Sequence, residues 1–153
     1  MQPLTFNLEE EDYSLIGIHS TEEDYRLAYF LNKILKTKLK RSKYNLDFQN
    51  SDAEFSLFEF KDETSFTNYY LINNKFKSFV QNKNNNGLFD GNFSSISYLI
   101  PEKNKIDFFL KIEGCYCQNS VNNLIEKLNT INQVITSYSI EPETLKSKDH
   151  LIF

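Results

Sequence analysis

The stretch Lys105-Ile106-Asp107-Phe108-Phe109-Leu110-Lys111-Ile112-Glu113-Gly114, read with Ser120 to Leu128 and Val134 to Ile140 behind it, decides the fold. Ile106, Phe108, Leu110 and Ile112 alternate with Lys105, Asp107, Phe109, Lys111 and Glu113. That is the period of two expected of a strand with one buried face, because successive side chains point to opposite sides. Gly114 ends the strand. Val121, Leu124, Ile125 and Leu128 then fall at i, i+3, i+4 and i+7, one face of a helix, and Ser120 ahead of them is the expected N-cap. Val134, Thr136, Tyr138 and Ile140 return to the strand period, and Pro142 closes it. Residues 105–140 therefore read as a βαβ unit, with parallel strands and a right-handed crossover.

Moving outward toward the N-terminus, Pro101-Glu102-Lys103-Asn104 is a tight connection, since proline sets the first dihedral of a turn. Ser95 to Ile100 before it is a strand. Residues 81–94 form a polar, Asn-rich loop. Phe55 to Lys61 and Asn68 to Phe76 are two strands of a hairpin, with a further short strand at 76–80. Tyr13 to His19 is a buried strand. The helix after it runs from about 21 to 38, with Leu27, Phe30, Leu31, Ile34 and Leu35 on its apolar stripe. Ser20 with Glu23, or Thr21 with Asp24, is the expected capping arrangement. The apolar tail, Leu145 to Phe153, docks on the body.

These elements, in the order β-α-β-β-β-β-α-β with the strand at 76–80 as an optional addition to it, predict one α+β domain over 1–153. Its sheet is mixed but mainly antiparallel, with both helices on one face. A ferredoxin-like arrangement is the favoured topology. The chain has 153 residues, enough to bury a core without disulfides or metals. Its net charge is −4, with 14 Phe and 9 Tyr, so the core is expected to be rich in aromatic rings. No apolar run is long enough to span a membrane, and Met1 to Phe6 lacks the basic and apolar regions of a signal peptide. Two closely spaced cysteines, Cys115 and Cys117, fit a reducing compartment. The expectation is a cytoplasmic protein that needs no cofactor.

Several blocks resemble the bacterial IPExxxDY family. The stretch Leu99-Ile100-Pro101-Glu102-Lys103-Asn104-Lys105-Ile106-Asp107-Phe108 is similar to its signature. Ile16 to Ser20 with Glu23 to Lys33 resembles its first block, and Gln133 to Tyr138 with Leu145 to Phe153 its last. Phe108 stands where the signature has tyrosine, and four residues rather than three separate Glu102 from Asp107. The resemblance covers most of the chain. It implies a soluble bacterial protein, often encoded beside a double-strand-specific ribonuclease, and brings with it no activity, cofactor or catalytic residue.

Candidate chemistry is sparse. Cys115 and Cys117 lack the second pair that a zinc site needs, and only His19 and His150 could complete one. His19, between strand end and helix start with Asp24 and Arg26 nearby, suits a base or an anion contact, yet no nucleophile is paired with it in sequence. Glu102 and Asp107 flank a turn and could share a proton or a divalent cation, but three lysines lie close enough to neutralise them. Lys33, Lys36, Lys38, Lys40, Arg41 and Lys43 crowd one short run, flanked by Tyr29 and Tyr44. Cations suit a helix C-terminus, and the same group could meet phosphates while the rings stack on bases. With four glycines scattered along the chain, no phosphate-cradling loop forms.

Two functions from different classes follow. The first is a non-catalytic, protein-binding adaptor, possessing an exposed aromatic patch or pairing with itself through sheet edges. The second is an RNA-associated accessory factor that uses the basic run. The binding residues to watch are His19, Arg26, Lys36, Lys38, Lys40, Arg41, Lys43, Glu102 and Asp107. An enzyme built on His19 and Glu102 would need both in one pocket.

Overall fold

The computed structural model describes residues 13–48, 52–81, 92–114 and 118–153. Its first strand, β1 (Tyr13–His19), buries Leu15, Ile16 and Ile18 on opposite faces, as its unbroken apolar run demands. Helix α1 (Asp24–Leu35) is shorter at both ends than its apolar spacing predicts. Neither expected capping pair forms. Glu23 occupies the N-cap position without a side-chain bond, because Ser20 is engaged elsewhere. The helix ends where Lys36 turns left-handed, at φ 58°. Leu27, Ala28 and Leu31 are buried and Phe30 and Leu35 pack beside them, while Ile34 of the expected stripe stays 37% exposed.

Three short strands follow that the sequence does not announce: β2 (Lys40–Arg41), β3 (Leu46–Asp47) and β4 (Glu54–Phe55). The expected hairpin is present as β5 (Leu57–Asp62) and β6 (Thr67–Asn73). In its turn Asp62 accepts bonds from the Thr64 hydroxyl and amide at 2.6 and 3.1 Å, and these, with Ser65, hold its carboxyl below the usual range. A second hairpin pairs β7 (Lys75–Gln81) with β8 (Asn92–Tyr98), so the strand expected at 76–80 is real. Most of the loop expected at 81–94 lies outside the described residues. Then come β9 (Phe108–Glu113), α2 (Gln118–Asn129) and β10 (Thr136–Ile140). Ser120, the expected N-cap of α2, lies inside the helix.

The main sheet has the order β10-β1-β9-β6-β5-β2. With β1, β6, β9 and β10 counted as strands one to four, that order is 4-1-3-2, the ferredoxin-like βαββαβ arrangement, widened at one edge by β5 and β2. Every ladder in this sheet is antiparallel. The parallel pairing expected within residues 105–140 is therefore not direct. β9 and β10 do run parallel, but β1 lies between them and bonds to both.

Both helices cover one face. Leu27, Leu31, Val121, Leu124 and Leu128 pack on Ile16, Ile18, Leu71, Leu110 and Ile112. The other face is not solvated. Leu15, Ile72 and Phe109 pack there against Phe55, Leu99, Ile100, Ile106, Leu145 and Leu151. The single buried face expected of β9 is thus a pair of buried faces, and Phe109 and Lys111 are both 0% exposed. Gly17 faces this second core. A Cβ there would stand 2.7 Å from the Ile140 side chain and 2.9 Å from that of Ile106, so glycine is what lets the two isoleucines meet over β1. Gly114 ends β9 at φ +126°, with the Phe66 carbonyl where a Cβ would sit, which excludes other residues.

Buried Asn74 stitches the Pro101 turn to the β6–β7 junction. Its amide donates to the Lys103 and Ile106 carbonyls at 3.0 and 2.8 Å and its oxygen accepts the Ile100 N–H at 2.8 Å. The tail docks as expected, with Leu145 and Leu151 buried. No helix among the described residues is long and apolar enough to cross a membrane.

Candidate functional site

Three places gather the residues singled out in the sequence. The first is the junction where β1 runs toward α1. The Ser20 amide donates to Asp107 Oδ2 at 2.8 Å, and Lys75 Nζ donates to Asp107 Oδ1 at 2.7 Å. The Ser20 hydroxyl donates to the Gln133 carbonyl at 2.6 Å and accepts the Glu22 amide at 3.1 Å. Asp107, expected on an exposed face, is therefore a half-buried tie between β1, β7 and the start of β9. His19 is close in sequence but turned to another partner, with Nε2 hydrogen-bonded to the Tyr138 hydroxyl at 2.8 Å. Arg26 of α1 pairs at 3.3 Å with Glu22, just ahead of the helix, and its guanidinium lies 6.0 Å from the Phe30 ring centre. A cleft of about 530 Å3 opens beside this junction, lined by Glu23, Asp24, Glu54, Ser56, Lys75 and Asp107 among others. The Ser56 hydroxyl on its wall is buried without a partner.

The second place is the Pro101 turn. Glu102 and Asp107 do not converge. Glu102 takes the Ser147 amide at 2.6 Å and the Ser147 hydroxyl at 2.9 Å, so it clips the tail to the turn. Burial raises its carboxyl, but bonds from its own amide and from Ser147 outweigh that and hold it below the usual range. Beside it, His150 Nδ1 donates to the Leu99 carbonyl at 2.7 Å, and its ring lies 4.3 Å from that of Phe48. His19 and Glu102, which an enzyme would need in one pocket, thus bond to different parts of the molecule, His19 to Tyr138 of β10 and Glu102 to Ser147 of the tail.

The third place is the basic run. Thr37 and Leu39 are buried, and Lys36, Lys38 and Lys40 alternate with them on the outside. The alternation is enforced by Asn32 of α1. Its Oδ1 accepts the Thr37 hydroxyl at 2.8 Å and the Leu39 amide at 2.7 Å, and its Nδ2 donates to the Leu39 carbonyl at 3.0 Å. Arg41 is held differently, donating to the Ser42 and Leu57 carbonyls at 3.4 and 3.2 Å and to Asn45, with its guanidinium 5.8 Å from the Phe58 ring centre. Lys33 and Lys43 are exposed. The described residues contain ion pairs at Arg26 and Lys75 and none on the basic run. Residues 33–43 hold no Asp or Glu. Glu59, opposite Lys40 in the β2–β5 ladder, stays beyond ion-pair distance.

One cation escapes sequence reasoning. Lys111 is fully buried on the second face of the sheet. Its ammonium donates to the Leu151 carbonyl at 2.6 Å and lies 4.4 Å from the Phe153, 4.8 Å from the Tyr13 and 5.8 Å from the Tyr70 ring centres. Cation–π attraction among these rings stands in for water and fixes the tail over β9. Alternation had assigned Lys111 to solvent; the run of tyrosines and phenylalanines at Tyr13, Tyr70 and Phe153 was the available signal, but it is scattered over 140 residues.

Cys115 and Cys117 lie outside the described residues. Among the described residues, no three His, Cys, Asp or Glu side chains are grouped to hold a metal. Compared with known proteins, the chain matches no family model, no curated protein and no solved structure.

Proposed function

We propose that this chain is a non-catalytic adaptor module, a rigid α+β body whose task is to present a surface to a macromolecular partner. The observation that carries the reading is the contrast between its polar groups. His19, Glu102 and Asp107 bond to Tyr138, to Ser147, and to Ser20 with Lys75, so each of these three is engaged in a tie within the fold. The outer side of α1 and the run behind it are instead open, with Tyr25 and Tyr29 each more than 60% exposed one helical turn apart and the lysines unpaired. Exposed aromatic rings among cations are common constituents of binding surfaces. The likeness to the IPExxxDY family belongs to the same proposal, as does a cytosolic, bacterial setting.

The two edges of the main sheet are poor candidates for the contact. β2 is two residues long and carries Lys40 and Arg41, the charges that protect an edge. At β10, Asn129 covers the outer backbone of Ser137, accepting its amide at 2.8 Å and donating to its carbonyl at 3.4 Å.

The test is affinity purification of the tagged chain at native abundance from its own cells, with mass spectrometry. The expected result is a reproducible partner that a Tyr25→Ala, Tyr29→Ala variant loses. A small-molecule turnover abolished by His19→Ala, or no reproducible partner at all, overturns the reading. Light scattering that gives a species heavier than 18.1 kDa assigns the surface to a second copy.

A further inference from the structure

We infer that the exposed track Tyr29, Lys33, Lys36, Lys38, Lys40 and Tyr44 is a binding strip for single-stranded nucleic acid, an inference that rests on the adaptor reading and names the partner of this surface. Tyr29 and Lys33 stand at i and i+4, so they share one face at the end of α1, and Lys36 follows as the exposed, left-handed residue that closes the helix. Where α1 stops, the clamp from Asn32 sets the direction of the next five residues and turns Thr37 and Leu39 inward. Lys38 and Lys40 therefore stand on one side of an extended backbone, about 7 Å apart. The row is preorganised, since its backbone is bonded before any ligand arrives. The side chains are free to follow a phosphodiester chain.

Charge and chemistry favour a polyanion that also carries flat rings. The run has no acidic residue within it and no ion pair on it, so its cations are uncompensated despite a net charge of −4 for the whole chain. The two flanking tyrosines are 61% and 79% exposed, so a ring is open to a ligand on either side of the lysines in sequence. Stacking of bases on aromatic rings beside a positive strip is the way single strands are held without regard to sequence. An acidic protein segment would satisfy the lysines but would have no need of paired rings.

The experiment measures binding of fluorescein-labelled twelve-nucleotide oligo(U) and oligo(dT) by anisotropy, over a series of salt concentrations, with inorganic polyphosphate as a competitor lacking bases. Four lysine contacts to a single strand predict a slope of log K against log salt of about −3. Lys36→Gln, Lys38→Gln, Lys40→Gln together lower that slope by about 2. Tyr44→Ala weakens the oligonucleotides about tenfold and leaves polyphosphate unchanged, since the variant loses one stacked base and no phosphate contact. These side chains are exposed, and an unchanged circular dichroism melt shows that the fold is intact. Tighter oligo(U) than oligo(dT) assigns the strip to RNA, and equal affinity to single strands in general. No binding at low salt, binding indifferent to the triple variant, or polyphosphate bound as well as oligo(U) with Tyr44 without effect each overturns the inference. In those cases a protein partner lost with the same triple variant leaves the adaptor reading standing, and no partner of any kind ends both.

Discussion

Asn74 shows how much of this structure hangs on single polar side chains. It is 0% exposed and satisfies the Ile100 amide together with the Lys103 and Ile106 carbonyls. Asn74→Ala leaves the Ile100 amide and the Ile106 carbonyl buried without that partner, while the Lys103 carbonyl keeps the Ile106 amide, and each orphan costs about 1–3 kcal/mol. We expect a loss of about 2–6 kcal/mol, read as a lower denaturant midpoint with an unchanged slope. Glu102 gives the pH dependence. Its folded carboxyl titrates below the usual value, so its contribution is complete above the unfolded value and disappears as pH falls through the folded one. Acid should therefore loosen the tail at Ser147 in the native chain, and Glu102→Gln should lower the melting temperature at neutral pH and flatten the acid limb, so that variant and native chain converge at low pH. At this scale the sequence was a partial guide. Glu102 and Asp107 stood out as charged groups beside a turn, and both proved to be ties. Asn74 and Asn32 did not stand out, because an asparagine that satisfies backbone groups tens of residues away, or bridges a helix to the next segment, looks locally like any other polar residue.

Among the elements, the edge strand β10 carries the sharpest expectation. Asn129 mimics a neighbouring strand at Ser137 and also takes the Ser137 hydroxyl at 3.0 Å. Asn129→Ala removes that cover, destabilises by about 1–2 kcal/mol and opens a ladder for another chain. Light scattering over a dilution series should then show association beyond that of the native chain. The long elements could be read from spacing: the helix over 118–129 from its i, i+3, i+4, i+7 row, and the β5–β6 hairpin from its two runs of rings and branched side chains. Their ends could not, since Ser20 and Ser120 resembled caps and are used otherwise. The two-residue strands β2, β3 and β4 leave no period to detect, and β2 is built from Lys40 and Arg41, which read as a solvated run.

For the molecule as a whole, the difference between expectation and structure lies in what covers the second face of the sheet. Alternation in 106–112 distinguishes two sides of a strand but not whether the polar-looking side is wet, and Lys111 made it look wet. Phe109, on the same side, was the dissenting residue. The cover comes from the Pro101 turn, from Phe55 and from the tail. Leu151, fully buried there beneath the Lys111 bond, is the test: Leu151→Ala should cost about 2–5 kcal/mol. Truncation before Leu145 should abolish cooperative unfolding in a thermal melt. The strand order has a further consequence during synthesis. β1 is made first, yet its two neighbours are β9 and β10, which begin at Phe108 and Thr136. At about 5–20 residues per second, Leu15, Ile16 and Ile18 wait roughly 6–25 seconds on the ribosome before the last partner is polymerised. A nascent chain that must hold a buried apolar strand in reserve so long is a natural client for ribosome-associated chaperones, and its yield should fall when translation is slowed between Gly114 and Thr136.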